Sequence, residues 1–280
     1  MHDNRLMRRR RWGGKFAVTF VGVVLALIFL FPFIIMVVGS FSGSVSGASG
    51  VFFWVPREFS LHNYITLFSR KSLTTWILNS LLYTLVPTAA TLVTSLLLGY
   101  VFAKKSFKGK NFIFWLFLAM IMVPAQVLAV PRYTLFNQLG WIDTYAVMLV
   151  PNLWDISSLF FMRQYMQSIP KEIEEAATID GCGQFRTVFR IIMPMCGPAL
   201  ASVAILRFVA HWNDFFNPLI FLTDETKFPL TVGLSTIMAE SPPFSLTMAG
   251  AVISFLPTFL VFIFMQKYFI EGVSAGSVKE

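Results

Sequence analysis

A short polar segment in an otherwise apolar chain holds the residues with the clearest potential for a specific contact. Residues 171–179 contain good helix formers without glycine or proline, and their glutamates fall in the first turns. Acidic residues there suit the positive end of a helix dipole. Two small residues, Ala176 and Ala177, allow one face of this helix to lie close against another backbone. That face carries residues at three- and four-residue spacing, namely Ile169, Ile173, Ala176, Ala177 and Asp180.

The polar segment continues into a turn and a second short helix. Gly181 and Gly183 are expected to end the first helix, because glycine permits the backbone angles of a tight turn. A second helix is predicted from about Gln184 to Ile192, and Pro194 is expected to stop it. The pair is too polar to cross a bilayer, and it lies between two segments that are apolar enough to cross.

The composition is that of a polytopic membrane protein. Of 280 residues, 56% are hydrophobic and only 13% are charged, whereas a soluble domain has about 25% charged residues. The first apolar run is longer than the roughly 7–15 residues of a signal-peptide core, which favours a retained span over a cleaved leader. The expected fold is an all-α integral membrane protein with six transmembrane helices, at about residues 16–38, 76–103, 112–130, 144–161, 195–216 and 246–269.

The distribution of cations predicts the orientation of these spans. Six Lys and Arg residues precede the first span, four lysines follow the second, and far fewer cations fall on the opposite side. Both termini and the polar segment are therefore expected in the cytoplasm, which gives a basic tail at 1–15, a permease domain at 16–271 and a C-terminal tail at 272–280. The net charge of +8 is explained by orientation and by anionic membrane lipid, without a nucleic-acid partner.

Several polar residues fall in or near the apolar runs, where they are expensive unless they face a cavity or one another. Arg207, His211 and Asp214 are spaced i, i+4 and i+7, so one face of the fifth predicted span presents all three. Two interpretations remain open: a hydrated cavity, or an internal pair of Arg207 with Asp214 or Asp155 that only packs helices. The full set is Asn79, Gln126, Asn152, Asp155, Arg207, His211, Asn213 and Asp214.

The polar segment resembles a known family motif. Glu175-Ala176-Ala177 is followed after three residues by Gly181 and then by Ile191-Ile192-Met193-Pro194. This spacing resembles the EAA loop of binding-protein-dependent ABC importer permeases, which usually has leucine where Met193 stands. We refer to residues 165–194 as the EAA segment.

Further stretches resemble the carbohydrate, MalG-like subclass of that family. Trp212-Asn213-Asp214 followed by Pro218-Leu219 is similar to a pattern of sugar permeases, and the tail Gly272–Lys279 is similar to the family's C-terminal sequence. Asparagine offers both a donor and an acceptor, and an aromatic face stacks on a pyranose ring, so these residue types suit sugar recognition. The resemblance extends from about Asn63 to Glu280.

The resemblance implies the permease subunit of an ATP-driven importer of di- or oligosaccharides, with a type I importer fold, in a bacterial-type inner membrane. It implies a second, MalF-like permease, two ABC ATPase subunits and an extracytoplasmic solute-binding protein as partners. It also implies three groups of site residues. They are Glu175, Ala176, Ala177, Asp180, Gly181, Ile191 and Pro194 for coupling to the ATPases, Gly276 and Lys279 for a C-terminal ATPase contact, and Trp212, Asn213, Asp214 and Asn217 for the substrate path.

The sequence does not predict an enzyme or a cofactor of its own. It has no Gly-x4-Gly-Lys-(Ser/Thr) signature, so ATP and magnesium are expected on the partner ATPases. Cys182 and Cys196 have neither metal-binding spacing nor a disulfide framework. The alternatives are a permease for another solute, such as glycerol phosphate, sialic acid or an amino acid, and a secondary transporter, which would predict a longer chain with inverted repeats. A membrane-bound enzyme is a poorer option.

Overall fold

The computed structural model describes residues 3–43 and 59–277, with side chains described for 18–43 and 59–267. The chain forms two compact units, Met1–Ser69 with Met238–Ile253, and Arg70–Ile237 with Ser254–Glu280. The α-helices are α1 Asp3–Ser40, α2 His62–Ser69, α3 Lys71–Lys104, α4 Lys110–Ile121, α5 Ala129–Gln138, α6 Tyr145–Leu149, α7 Ile156–Gln167, α8 Glu172–Ile179, α9 Gln184–Thr187, α10 Met193–Met195, α11 Gly197–Trp212, α12 Phe216–Phe221, α13 Leu230–Ala239 and α14 Phe244–Ser277.

Several of these helices are long and apolar enough to cross a membrane, so the predicted all-α membrane fold is confirmed. Among the described residues four segments qualify, and a fifth can be formed by Gln184–Met195 with Gly197–Trp212, two helices bent by 79°. The four are Val18–Ser40, Lys71–Lys104, Tyr145–Gln167 and Phe244–Lys267. The count of six spans stays a prediction.

The third predicted span, at 112–130, is wrong as a continuous helix. Helix α4 ends at Ile121, the chain turns through residues 122–128, and α5 begins at Ala129. Pro124 lies in the turn, where it has no N–H to continue the α4 ladder. Pro131 lies in the first turn of α5, where its missing N–H would have no helical partner anyway.

Two other predicted spans differ from the structure at their ends. The fourth, at 144–161, contains a 3₁₀ turn at Val150–Asn152 and continues as α7 to Gln167. Asp155 accepts the N–H of Ser158 at 2.6 Å and so caps α7, which explains the break ahead of it. The fifth, at 195–216, ends at Trp212, so Asp214 lies beyond the helix.

In the second unit, α3 packs against α7 and α11, and Gly99 sets the distance between α3 and α7. A Cβ atom on Gly99 would lie 2.8 Å from Cβ of Met162 and 3.2 Å from the backbone N of Arg163. The backbones of α3 and α7 therefore approach closely at this point. The buried core around it consists of Leu96, Tyr100, Met162, Met166, Ile169, Val188, Ile192, Cys196, Ala199 and Val203.

The N-terminal half of α3 binds the chain that follows α12. The indole N–H of Trp76 donates to the carbonyl oxygen of Glu225 at 2.9 Å, and the amide of Asn79 donates to those of Thr226 and Phe228 at 2.9 and 3.0 Å. The hydroxyl of Tyr83 donates to the carbonyl of Lys227 at 3.0 Å, and Ser80 Oγ accepts the N–H of Leu230 at 2.7 Å. Consecutive carbonyls thus bind side chains on one face of α3, and the loop has one defined position on it.

An ion triad adds to this loop. The ammonium of Lys227 lies 3.1 Å from Asp143 and 2.9 Å from Asp224. Asp143 Oδ1 also accepts the backbone N–H groups of Thr223 and Asp224, at 2.9 and 3.0 Å. The turn after α5 and the loop after α12 are therefore joined by charge as well as by neutral hydrogen bonds.

In the first unit, a buried amide closes the turn after α1. Asn63, in the first turn of α2, donates to the carbonyl oxygens of Ser40 and Ser42, both at 2.9 Å. Its Oδ1 accepts the hydroxyl of Ser245 at 3.3 Å. Three separate stretches of sequence are therefore tied together by one side chain.

Candidate functional site

The first helix of the EAA segment ends in the predicted glycine turn. Gly181 has φ of 75°, in the left-handed region, its N–H donates to Thr178 O at 3.0 Å, and the N–H of Cys182 donates to Ala177 O at 2.9 Å. These bonds form a Schellman motif with Gly181 at the left-handed position. Gly183 has φ of −69°, which any residue can adopt. The turn therefore depends on Gly181 and not on Gly183.

The second helix does not stop at Pro194, so that expectation was wrong. After α9 the chain widens into a π-helical stretch, Val188–Ile192, and then continues as α10 through the proline to Met195. The N–H of Met193 bonds five residues back to Val188 O, and the N–H of Cys196 bonds four residues back to Ile192 O. The wider turn shifts the hydrogen-bond register just ahead of the proline, which lets its ring follow without ending the helix.

The predicted contact face of α8 is divided between the inside and the outside of the protein. Ala177 and Ile169 are buried and Ile173 is half-buried, whereas Ala176 and Asp180 are exposed. The apolar residues hold α8 on the bundle. The exposed residues leave a small-residue surface on the other side.

Two apolar side chains that the sequence prediction missed lie on the outer surface of the EAA segment. Ile179 is 86% exposed and lies one helical turn after the exposed Glu175, and Phe185, in α9, is 77% exposed. The signal was present in the sequence as large apolar residues within a polar segment. Exposed apolar residues rimmed by charge are typical of a protein contact surface.

The remaining predicted coupling residues have different surroundings. Ile191 is half-buried and Pro194 is exposed. Gly276 lies near the end of α14, and Lys279 lies outside the described residues. The predicted C-terminal contact therefore stays a prediction.

Glu174, which the sequence prediction did not select, has the strongest contacts of the acidic residues in α8. The hydroxyl of Tyr100 donates to its Oε2 at 2.9 Å. The ammonium of Lys105 lies 3.6 Å from the same oxygen, and that of Lys104 lies 3.8 Å from Oε1. Glu175, one position further, is exposed. Glu174 thus faces the bundle, and its neighbour Glu175 faces the solvent.

In the predicted substrate region, the partner of Arg207 is Asp155. Arg207 Nη1 lies 2.8 Å from Asp155 Oδ1, so the internal pair proposed as one alternative is present. Asp214 does not share this pair, because it follows the end of α11. Arg207 Nε and His211 Nε2 are buried and have no hydrogen-bond partner within the described residues. The predicted three-residue face is therefore reduced to Arg207 and His211.

Trp212 and Asn213, neighbours in sequence, have opposite environments. The Trp212 ring is 2% exposed, stacks against Phe208 at 5.9 Å between centroids, and donates its N–H to Ser254 O at 2.8 Å. In this conformation its face is covered and not available to a sugar ring. Asn213 is exposed, and its amide donates to Val209 O at 2.8 Å.

Asp214 and Asn217 form a small polar network with an arginine from α5. The amide of Asn217 donates to Asp214 Oδ2 at 2.8 Å, and its Oδ1 accepts Arg132 Nη1 at 3.1 Å. The Arg132 guanidinium lies over the rings of Phe136 and Phe221, 5.6 and 5.3 Å from their centroids. Arg132 was not selected from the sequence, because α5 was not predicted as a separate helix. Its residues were assigned to the end of the third predicted span and to the loop after it. Charged, amide and aromatic groups thus meet at one place.

The membrane-crossing helices and the exposed EAA segment between α7 and α11 define a membrane component with a surface suited to another protein. The chain belongs to the family of the binding-protein-dependent transport system inner membrane component, whose pattern matches residues 95–274. It is therefore a membrane-embedded transport component and not an enzyme.

Similar proteins extend over nearly the whole chain. The arabinooligosaccharides transport system permease protein AraQ of Halalkalibacterium halodurans is 35% identical over 91% of this chain and 93% of its own length. The trehalose/maltose transport system permease protein MalG of Thermococcus litoralis is 32% identical over 92% and 94%. A crystal structure of a bacterial ABC transporter that imports the acidic polysaccharide alginate is similar with a TM-score of 0.79 and 25% identity, over 94% of this chain and 98% of that one.

Proposed function

We propose that this chain is the permease subunit of an ATP-driven importer of di- or oligosaccharides. Its family works with a binding protein. Two similar permeases are named for the transport of arabinooligosaccharides and of trehalose and maltose, and a similar solved transporter imports alginate. These solutes are all carbohydrates of two or more units, which supports the substrate class proposed for this chain.

The observation that carries the coupling role is the outer surface of the EAA segment. Ile179 and Phe185 are large, apolar and exposed, and Ile179 lines the same open cavity as the exposed Glu175. A surface of this kind gains free energy when another protein covers it, because apolar area leaves water and the carboxylate can meet a basic group. We assign this surface to the ATPase subunits. They would bind the ATP and magnesium, since the sequence of this chain has no P-loop signature.

The proposed assembly contains a second, related permease, two ATPase subunits and an extracytoplasmic solute-binding protein. Both termini of this chain would lie in the cytoplasm, on the side of the ATPases, as the positive-inside distribution favours. Closure of the ATPases on ATP would move α8 and α9 as a lever. The attached helices would then rock between inward-open and outward-open states.

The proposed solute path passes the polar residues after α11. Asn213 is exposed, and Asp214 and Asn217 form the network with Arg132. Amide and charged groups of this kind can bond sugar hydroxyls, and the buried rings of Phe136 and Phe221 hold the Arg132 guanidinium in place beside them. Trp212 supports this region by packing.

Uptake by the reconstituted assembly tests the function. Proteoliposomes that contain both permeases and the ATPases, supplied with binding protein, should accumulate labelled maltose or arabinan-derived oligosaccharide only with ATP inside. Uptake of glycerol phosphate in preference to oligosaccharides would contradict the substrate class. Uptake driven by an ion gradient without the ATPases would contradict the importer class.

A further inference from the structure

The contact between α8 and the C-terminal end of α3 is polar at its centre. Glu174 has a side chain only 16% exposed and receives the Tyr100 hydroxyl on Oε2 at 2.9 Å. The Lys105 ammonium lies 3.6 Å from that oxygen and 4.9 Å from the centre of the Tyr100 ring. A carboxylate of the EAA segment is thus held by a phenol and an ammonium of another helix end.

A buried lysine completes the cluster. The side chain of Lys104 is 3% exposed, its ammonium donates to the carbonyl oxygen of Ile169, and it lies 3.8 Å from Glu174 Oε1. Glu174 Oε1 is buried and accepts no hydrogen bond from the described residues. A buried ammonium needs a counter-charge. The pair is therefore balanced in charge, but its direct hydrogen bond is not made in this conformation.

The surroundings leave room for this contact to change. An open cavity of about 400 Å³ borders the cluster, and Lys171 and Thr178 contribute to its wall. A direct ammonium–carboxylate hydrogen bond has a length of about 2.7–2.9 Å. A shift of about 1 Å would therefore bring Lys104 and Glu174 into that bond.

We propose that Glu174 is a positioning residue which, with Tyr100, Lys104 and Lys105, latches α8 to the end of α3 and transmits the movement of the EAA segment to that helix. The inference rests on the coupling function proposed above. The apolar contacts of Ile173 and Ala177 hold α8 on the bundle but are non-directional, so they permit sliding. The latch gives the contact a direction, and the Lys104–Glu174 bond closes in the alternate transport state.

Glu174→Gln tests the latch, with Glu172→Gln as its matched control. Both glutamates lie in the first turn of α8, so both substitutions lose the same favourable charge at the helix start. Glu172 is exposed, whereas Glu174 faces α3. In reconstituted complexes both variants should retain the ATPase subunits. Glu174→Gln should reduce the solute transported per ATP hydrolysed about tenfold, and the control by less than about twofold.

Two further variants separate a latch from a merely structural contact. Lys105→Met removes the ammonium next to Glu174 Oε2 and leaves the buried Lys104–Glu174 pair in place, so it should lower the transport-to-hydrolysis ratio about twofold. Tyr100→Phe removes one hydroxyl without a change of shape and should lower the ratio about threefold, at an unchanged thermal unfolding midpoint within about 2 °C.

The outcomes are distinct. A wild-type ratio in Glu174→Gln overturns the latch, and if that variant does not assemble, a wild-type ratio in Tyr100→Phe overturns it. If the unsubstituted complex shows no ATP-dependent uptake, the proposed function fails instead. The latch is then tested in the purified full chain with spin labels at 106 and 179. Glu174→Gln should broaden the label–label distance distribution while Glu172→Gln does not, and equal distributions overturn the latch.

Discussion

The two ends of α3 are held by contacts of different kinds. At the N-terminal half, Trp76, Asn79 and Tyr83 donate neutral hydrogen bonds of 2.9–3.0 Å to consecutive backbone carbonyls. At the C-terminal end, Glu174 accepts one hydrogen bond, from Tyr100 at 2.9 Å, and meets two ammonium groups at 3.6 and 3.8 Å. The first set is satisfied in one geometry only, since a hydrogen bond weakens steeply with distance and angle. The two ion pairs of the second set tolerate a change of geometry, because the Coulomb energy of an ion pair falls only with the inverse of distance.

This difference indicates which end of α3 is built to stay in place and which is built to adjust. The loop at residues 225–228 is anchored by short, directional bonds, next to the proposed solute path. The EAA segment is joined to the other end of α3 through Glu174, whose Oε1 atom accepts no hydrogen bond from the described residues. A helix with one anchored end and one adjustable end is suited to rocking about the anchored end.

Among substitutions that test the anchored end, a methyl group added at Gly233 should have the largest effect. A Cβ atom there would lie 2.1 Å from Cδ2 of the buried Trp76 ring. Gly233→Ala should therefore destabilise the chain by about 3 kcal/mol, at the upper end for overpacking. Thermal unfolding in detergent measures this. Gly197→Ala, also helical and with no atom of the described residues within 4 Å of the added Cβ, should leave the midpoint unchanged, and equal midpoints for both variants would refute the tight contact.

Removal of the Asn79 amide should have the next largest effect. Asn79→Ala leaves two carbonyl oxygens, of Thr226 and Phe228, without their donors. The expected loss is about 2 kcal/mol in the free energy of unfolding. Tyr83→Phe, which removes one donor from the same face, should cost about half as much. If neither variant lowers the denaturant midpoint, the loop is not anchored through α3.

The smallest effect is expected from the ion triad, through pH. The Thr226 hydroxyl and the Lys227 ammonium hold the pKa of Asp224 at about 2. Burial opposes ionisation of Asp143, but the backbone N–H groups of Asp224 and Thr223 and the Lys227 ammonium outweigh it and lower its pKa. Both carboxylates thus have lower pKa values in the folded chain than in the unfolded one. Their contribution to stability is complete above about pH 5 and is lost as the pH falls towards about 2.

The thermal unfolding midpoint should accordingly decrease when the pH is lowered from about 4.5 to 2.5. This decrease should be a few degrees larger in the wild type than in Asp143→Asn. An amide at position 143 cannot titrate, so the contribution of the Asp143 carboxylate to the pH dependence of the midpoint disappears. Parallel midpoint curves for the two proteins would show that the triad does not contribute to the anchor.

Local chemistry explains what could be predicted from the sequence. The membrane class follows from apolar runs, and the turn of the EAA segment follows from Gly181, whose left-handed backbone needs only its own neighbours to be inferred. The break in the third predicted span could not be inferred, because Pro124 and Pro131 are compatible with a kinked span as well as with two helices. The passage of the helix through Pro194 depends on a π turn that has no sequence signal.

Partners in space explain most of what could not be predicted. Periodicity placed Arg207 on a polar face, but the choice between Asp155 and Asp214 required the position of α7 and the end of α11. The three glutamates of α8 look alike in the sequence, and only the packing of α3 distinguishes the half-buried Glu174 from the exposed Glu175. Phe185 could have been selected, since a large apolar residue in a polar segment is itself a signal of a contact surface.

The central claim is that the EAA segment couples this chain to ATP hydrolysis, and the Gly181 turn tests it most directly. Gly181 has φ of 75° and Gly183 has φ of −69°, and at neither position would a Cβ atom come within 4 Å of the part of the chain that the structure describes. A β-branched residue is therefore strained at the first position only. The measurement is ATP hydrolysis by the reconstituted complex, with and without solute-loaded binding protein. Gly181→Val should abolish the stimulation while the complex still assembles, and Gly183→Val should retain it; full stimulation in Gly181→Val would contradict the account.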